Sequence, residues 1–95
     1  MFKFISNIKY RHLPRFLHPG RYSATFKLSG VVSSEGIIGY DAPMETYFFQ
    51  SGDEDTNGLG YPSIWLGMSE QFTDISALYD ALNRQGVRLI SIEYY

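Results

Sequence analysis

The chain has 95 residues, 44% of them hydrophobic, and a net charge of −2; this is enough for one domain, and no apolar run nears the about 18 residues that span a bilayer. It has no cysteine, which excludes disulfide staples and thiolate zinc sites and points to a reducing, cytoplasmic compartment. A chain this short buries only about 60–65% of its unfolded surface. Eight Tyr, seven Phe and one Trp are too many rings for such a core, so some are expected at a binding surface.

In chain order, residues 2–11 alternate, with Phe2, Phe4, Ile8 and Tyr10 on one face and Lys3, Asn7, Lys9 and Arg11 on the other. Asn7, Lys9 and Arg11 interrupt the apolar segment, so a half-buried strand is expected there rather than a signal peptide. Pro14, Pro19 and Gly20 make residues 12–20 a connection. Residues 21–29 alternate without fault: Tyr22, Ala24, Phe26 and Leu28 face one way, Arg21, Ser23, Thr25 and Lys27 the other. This predicts a strand with one wet face.

Val31-Val32 and Ile37-Ile38 flank the turn-like Ser33-Ser34-Glu35-Gly36, which predicts a hairpin or a bent strand. Met44 to Gln50 is rich in strand formers. Residues 51–60 read as a polar, glycine-rich loop, and Ser63 to Gly67 as a short buried strand. The period then changes. Ile75, Leu78, Tyr79 and Leu82 recur at helical spacing over about 73–85, Thr73 or Asp74 can cap the start, and Gly86 is placed to end it. Asp80 and Arg84 form an i,i+4 pair. In the last strand, Val87 to Tyr94, Ile90, Ile92 and Tyr94 alternate with Leu89, Ser91 and Glu93. The expected fold is a single α+β domain over 1–95. It has a largely antiparallel, twisted β-sheet of five to six strands with one helix on one face.

Charge is uneven along the chain. Residues 1–28 carry six cations (Lys3, Lys9, Arg11, Arg15, Arg21, Lys27) and no acid, whereas residues 29–95 carry ten acids against Arg84 and Arg88. Either the two parts cancel in the fold, or they make a field that steers a charged partner.

Catalytic motifs are scarce. Asp53-Glu54-Asp55-Thr56-Asn57-Gly58 matches the first six positions of a calcium loop, but Ile64 stands where the bidentate Glu belongs, so a solvated acidic turn is expected. His12 and His18 lie six apart around Pro14 and are expected to be loop histidines rather than metal ligands. No G-x-S-x-G, P-loop or dinucleotide motif occurs. No cofactor, metal site or catalytic residue is assigned. The basic N-terminal third, interleaved with Phe2, Phe4, Tyr10, Phe16 and Tyr22, offers a nucleic-acid-binding alternative.

Ile75-Ser76-Ala77-Leu78-Tyr79-Asp80-Ala81-Leu82 resembles the recognition-helix segment of barstar-like ribonuclease inhibitors, in which such a helix presents an acid to a basic active site. The resemblance covers these eight residues. That family's upstream tyrosine-glycine-asparagine segment is absent here, and its organisation does not begin with strands. By this resemblance Asp80 is a candidate contact.

The expectation is therefore a non-enzymatic protein-binding module of the inhibitor or immunity type. It would occlude a basic partner, such as a nuclease toxin, through an acidic, aromatic-rich surface. The partner-binding candidates are Asp53, Glu54, Asp55, Tyr61, Trp65, Asp80, Glu93, Tyr94 and Tyr95. The remaining alternative is a structural subunit of a larger assembly.

Overall fold

A computed structural model describes residues 10, 12–52 and 64–93. The strands are β1 (Gly20–Leu28), β2 (Val31–Asp41), β3 (Thr46–Gln50), β4 (Trp65–Leu66) and β5 (Val87–Glu93), with helix α1 (Ile75–Arg84) between β4 and β5. They form one five-stranded sheet in the order β4-β3-β2-β1-β5, and every pairing is antiparallel. This is the expected α+β domain. Of the strand expected over 2–11, Tyr10 is the one described residue, and it lies in a turn.

Short connections set the meander. Leu28 pairs with Val31, leaving Ser29 and Gly30 as a two-residue loop at φ 52° and 80°. Positive φ at both positions gives the twist that suits a tight hairpin. Between β2 and β3, Met44 N donates to Asp41 Oδ1 at 3.2 Å and Glu45 N to Ala42 O at 3.1 Å, with Glu45 at φ 54°. Helix α1 then carries the chain from one edge of the sheet to the other, packing on β3 and β5. Asp74 caps it by accepting from Ser76 N at 3.0 Å, and Gly86, at φ 80°, follows its end as expected.

The core lies between sheet and helix. Ala24, Phe26, Ile38, Phe49 and Leu66 face Ile75, Leu78, Tyr79 and Leu82, and Phe49, Ile38 and Leu78 are fully buried. Phe26 and Phe49 meet edge to face at 5.4 Å and 86°, the arrangement that ring quadrupoles favour.

Of the hairpin or bent strand expected over 31–38, the bent strand is the one formed: β2 runs through Ser33 to Gly36 without a turn. Between Ala24↔Gly36 and Phe26↔Ser33, β2 uses one residue more than β1, which is a bulge. Likewise, Thr25↔Ser91 is followed by Phe26↔Leu89, so Ile90 is an extra residue in β5. That extra residue reverses the expected alternation of β5. Leu89 and Ile92 are buried, whereas Ile90 is 42% exposed.

Residues 12–18, expected only as a connection, complete the core. Leu13 and Leu17 are buried in it. Two long-range hydrogen bonds and one local one pin the segment. Tyr79 Oη donates to Pro14 O at 2.8 Å, Tyr22 Oη to His18 O at 3.0 Å, and His12 Nε2 to Leu89 O at 3.2 Å. Because a carbonyl only accepts, the bonded imidazole nitrogen carries the proton. His18 packs edge-on against Phe16. Among the described residues, no helix is long and apolar enough to cross a membrane.

Candidate docking groove on the second sheet face

Strand alternation sends Arg21, Ser23, Thr25 and Lys27 of β1 away from the helix, together with Ile37 and Gly39 of β2, Phe48 and Gln50 of β3, and Trp65 of β4. No described helix packs on this face. Near the β3–β4 edge it holds a groove of about 390 Å³ lined by Arg21, Asp41, Phe48, Gln50, Trp65 and Met68, among others.

The floor depends on a missing side chain. Gly39 pairs with both Arg21 and Phe48, and a Cβ at Gly39 would run into Gly20 O and come within 2.8 Å of Phe48 Cζ. The Phe48 ring thus lies over a bare stretch of β2, a ring-over-glycine arrangement that restores packing where the strand has no side chain. The Arg21 guanidinium sits 5.9 Å from the centre of that ring, and its Nη2 donates to Gln50 Oε1 at 3.4 Å. Ring and amide hold the guanidinium in place, so the groove combines an aromatic floor with one oriented cation. Trp65, opposite Gln50, forms the side wall.

The rim is shaped by the chain reversals at this end. The 42–45 turn contributes Met44, 59% exposed, and the stretch after β4 contributes Met68, 62% exposed. That stretch is tied to β3: Phe72 N donates to the buried Thr46 Oγ1 at 2.7 Å, and Tyr47 N donates to Phe72 O at 2.9 Å. Asp41 lines the groove, Glu45 is exposed in the adjoining turn, and Glu70 Oε1 accepts from Gly67 N at 3.4 Å. Asp41 therefore shares the groove with Met68, a flexible side chain of the kind suited to adaptable contact surfaces, and Met44 and Glu45 are exposed in the turn that follows Asp41.

The sequence candidates do not converge. Trp65 lies in this groove. Glu93 is exposed on the same row of the sheet (Trp65, Gln50, Ile37, Ser23, Glu93), but four strand spacings away, about 19 Å. Asp80 is on the helix, in the opposite layer. It accepts the Tyr10 hydroxyl at 2.5 Å rather than pairing with Arg84. Burial, then the hydrogen bond to Asp80 and its negative charge, push the Tyr10 hydroxyl well above its ordinary pKa of 10.0, against a smaller opposing effect of Arg84. Asp53, Glu54, Asp55, Tyr61, Tyr94 and Tyr95 lie outside the described residues, as does all of the calcium-like loop.

Sequence reasoning missed Arg21, Phe48, Met68 and the carboxylates Asp41, Glu45 and Glu70. A local signal did exist for Phe48, which alternates with the buried Tyr47 and Phe49 and must face the other way. Nothing local shows that this second face stays open near Trp65. Among the described residues, no three His, Asp or Glu side chains gather as a metal site would require. Compared with known proteins, the chain matches no family model, no curated protein and no solved structure.

Proposed function

We propose that this protein is a non-enzymatic protein-binding module of the inhibitor or immunity type, acting in the cytoplasm, whose docking surface is the groove of Phe48 and Trp65 with its carboxylate rim. The observation that carries the reading is a groove lined by Phe48, Trp65, Asp41 and exposed Met68, with Glu70 bonded to its lining residue Gly67. Apolar anchors in the middle of a patch supply most of the affinity of an interface. Charges at its rim speed encounter and discriminate among partners. The occupant that complements this arrangement is a basic protein segment with an apolar or aromatic anchor. A nuclease toxin, whose phosphate-binding cations would pair with the rim, belongs to that class. The protein would then act by steric occlusion, needing no chemistry of its own.

The test is affinity capture of partners from a nuclease-treated host lysate with the full chain and with two variants. One is D41N/E45Q/E70Q, which keeps shape and removes rim charge; the other is Trp65→Ala. The expected result is a basic protein held at one-to-one stoichiometry by the parent chain. Neutralising the rim should weaken it with a marked loss of salt dependence, and removing Trp65 should weaken it at all salt concentrations. Equal retention by all three chains overturns the reading. So does material that disappears on nuclease treatment, which would favour nucleic acid.

A further inference from the structure

The far end of the same sheet face differs from the groove. Register places Val32, Lys27 and Arg88 in one row across β2, β1 and β5, so the two cations are direct cross-strand neighbours. Directly opposed like charges destabilise a sheet. Neither has a carboxylate partner among the described residues. His12, tied to Leu89 O from 77 residues away, reaches the same place and lines a cleft of about 440 Å³ with Lys27, Arg88, Val32, Leu89 and Ile90. Ile90 is the extra residue of the β5 bulge; bulges commonly re-aim side chains beside functional sites.

We propose that Lys27, Arg88 and His12 form a seat for a single phosphate group borne on a compact apolar body. An anion between Lys27 and Arg88 would remove their mutual repulsion. The planar guanidinium fits two phosphate oxygens side by side, and the lysine ammonium adds a movable donor. The exposed aliphatic surface of Val32 and Ile90, at 58% and 42%, suits the body that carries the phosphate. Among the described residues no Phe, Tyr or Trp lines the cleft, and its imidazole, His12, is tied to Leu89 O, so the lining is mainly aliphatic and cationic. The same phosphate chemistry is offered by a free phosphate compound and by an anionic lipid headgroup.

Inorganic phosphate titrated into the full chain, at ionic strength matched with chloride, is read by backbone and side-chain NMR shifts. Vesicles of phosphatidylglycerol and of phosphatidylcholine are compared by co-sedimentation. The variant is K27Q/R88Q, which removes a repulsive pair and so folds; Arg15→Gln, at an exposed position outside both cleft and groove, serves as a control. The expected result is a saturable response at Lys27, Arg88 and His12, weakened about tenfold or more in K27Q/R88Q and unchanged in the Arg15 variant. Binding to phosphatidylglycerol alone, with the same dependence on Lys27 and Arg88, supports the seat and assigns it to a headgroup. Response to neither probe overturns the proposal. So does an equal response in K27Q/R88Q, or binding only to a single-stranded oligonucleotide. Because none of these residues lines the groove, failure here leaves the docking reading standing.

Discussion

The two ends of the outer sheet face share strands β1 and β2 but have opposite character. At the end where β1 begins and β2 finishes, the face carries a ring over a glycine, the exposed Met68 and the carboxylate of Asp41. At the end where β1 finishes and β5 begins, it carries Lys27 and Arg88 side by side, with aliphatic Val32 and Ile90 lining the same cleft. In the sequence the charge asymmetry divides an N-terminal third from the rest. Among the described residues the fold regroups these charges: Arg21 of the basic third shares the groove with Asp41, while Arg88 of the acidic part stands beside Lys27 because β5 pairs with β1 there.

That contrast can be broken outright by removing what both ends share. Phe49→Ala empties the centre of the core under both and should cost about 3–5 kcal/mol, measured by denaturant unfolding, with both ends lost together. Gly39→Ala acts on one end only. Its Cβ collides with Gly20 O and the Phe48 ring, which should cost about 1–3 kcal/mol. It should also shift NMR signals around Phe48 and Trp65 while those of Lys27 and Arg88 stay put. Asp74→Ala removes the helix cap at the groove end and should cost about 1 kcal/mol, with helical content reduced first at Ile75 and Ser76. At the cationic end the sign reverses. Lys27→Glu turns a repulsive cross-strand pair into an attractive one and should raise stability by about 0.2–1 kcal/mol while abolishing any phosphate response.

The Tyr10–Asp80 contact gives a test in pH rather than by core mutation. Tyr10 holds its proton more tightly folded than unfolded, so the folded state binds more protons above the unfolded pKa of 10.0. The stabilisation is therefore fully present below about pH 10 and declines as pH rises beyond it. Thermal unfolding of the parent chain should weaken over that range more steeply than that of Tyr10→Phe.

Part of this was legible in the chain because it depends on local period and caps. The alternation of residues 21–29 fixes which side chains of β1 go inside. The spacing of Ile75, Leu78, Tyr79 and Leu82, with Asp74 before and Gly86 after, fixes the helix and its buried stripe. Ile90 was misread because one extra residue reverses every later position in a period of two, and the bulge is set by pairing with β1, not by β5 itself. Trp65 stood among the candidate anchors, and its place beside Phe48 on the outer face follows from the pairing of β4 with β3. Asp80 was read as an outward contact, yet it is engaged by a tyrosine 70 residues away that no local pattern links to it.

By itself, then, the sequence determined the fold class, the phase of β1, the helix with its caps, and an excess of rings, since each follows from neighbours within a few residues. Only the tertiary structure decided three other things. Leu13 and Leu17 close the core, Phe48 and Trp65 share a groove with Asp41, and Lys27 meets Arg88. These are contacts between strands and segments far apart in the chain. Their geometry comes from register, strand direction and the path of α1 across the sheet, none of which is encoded in the periodicity of any single element.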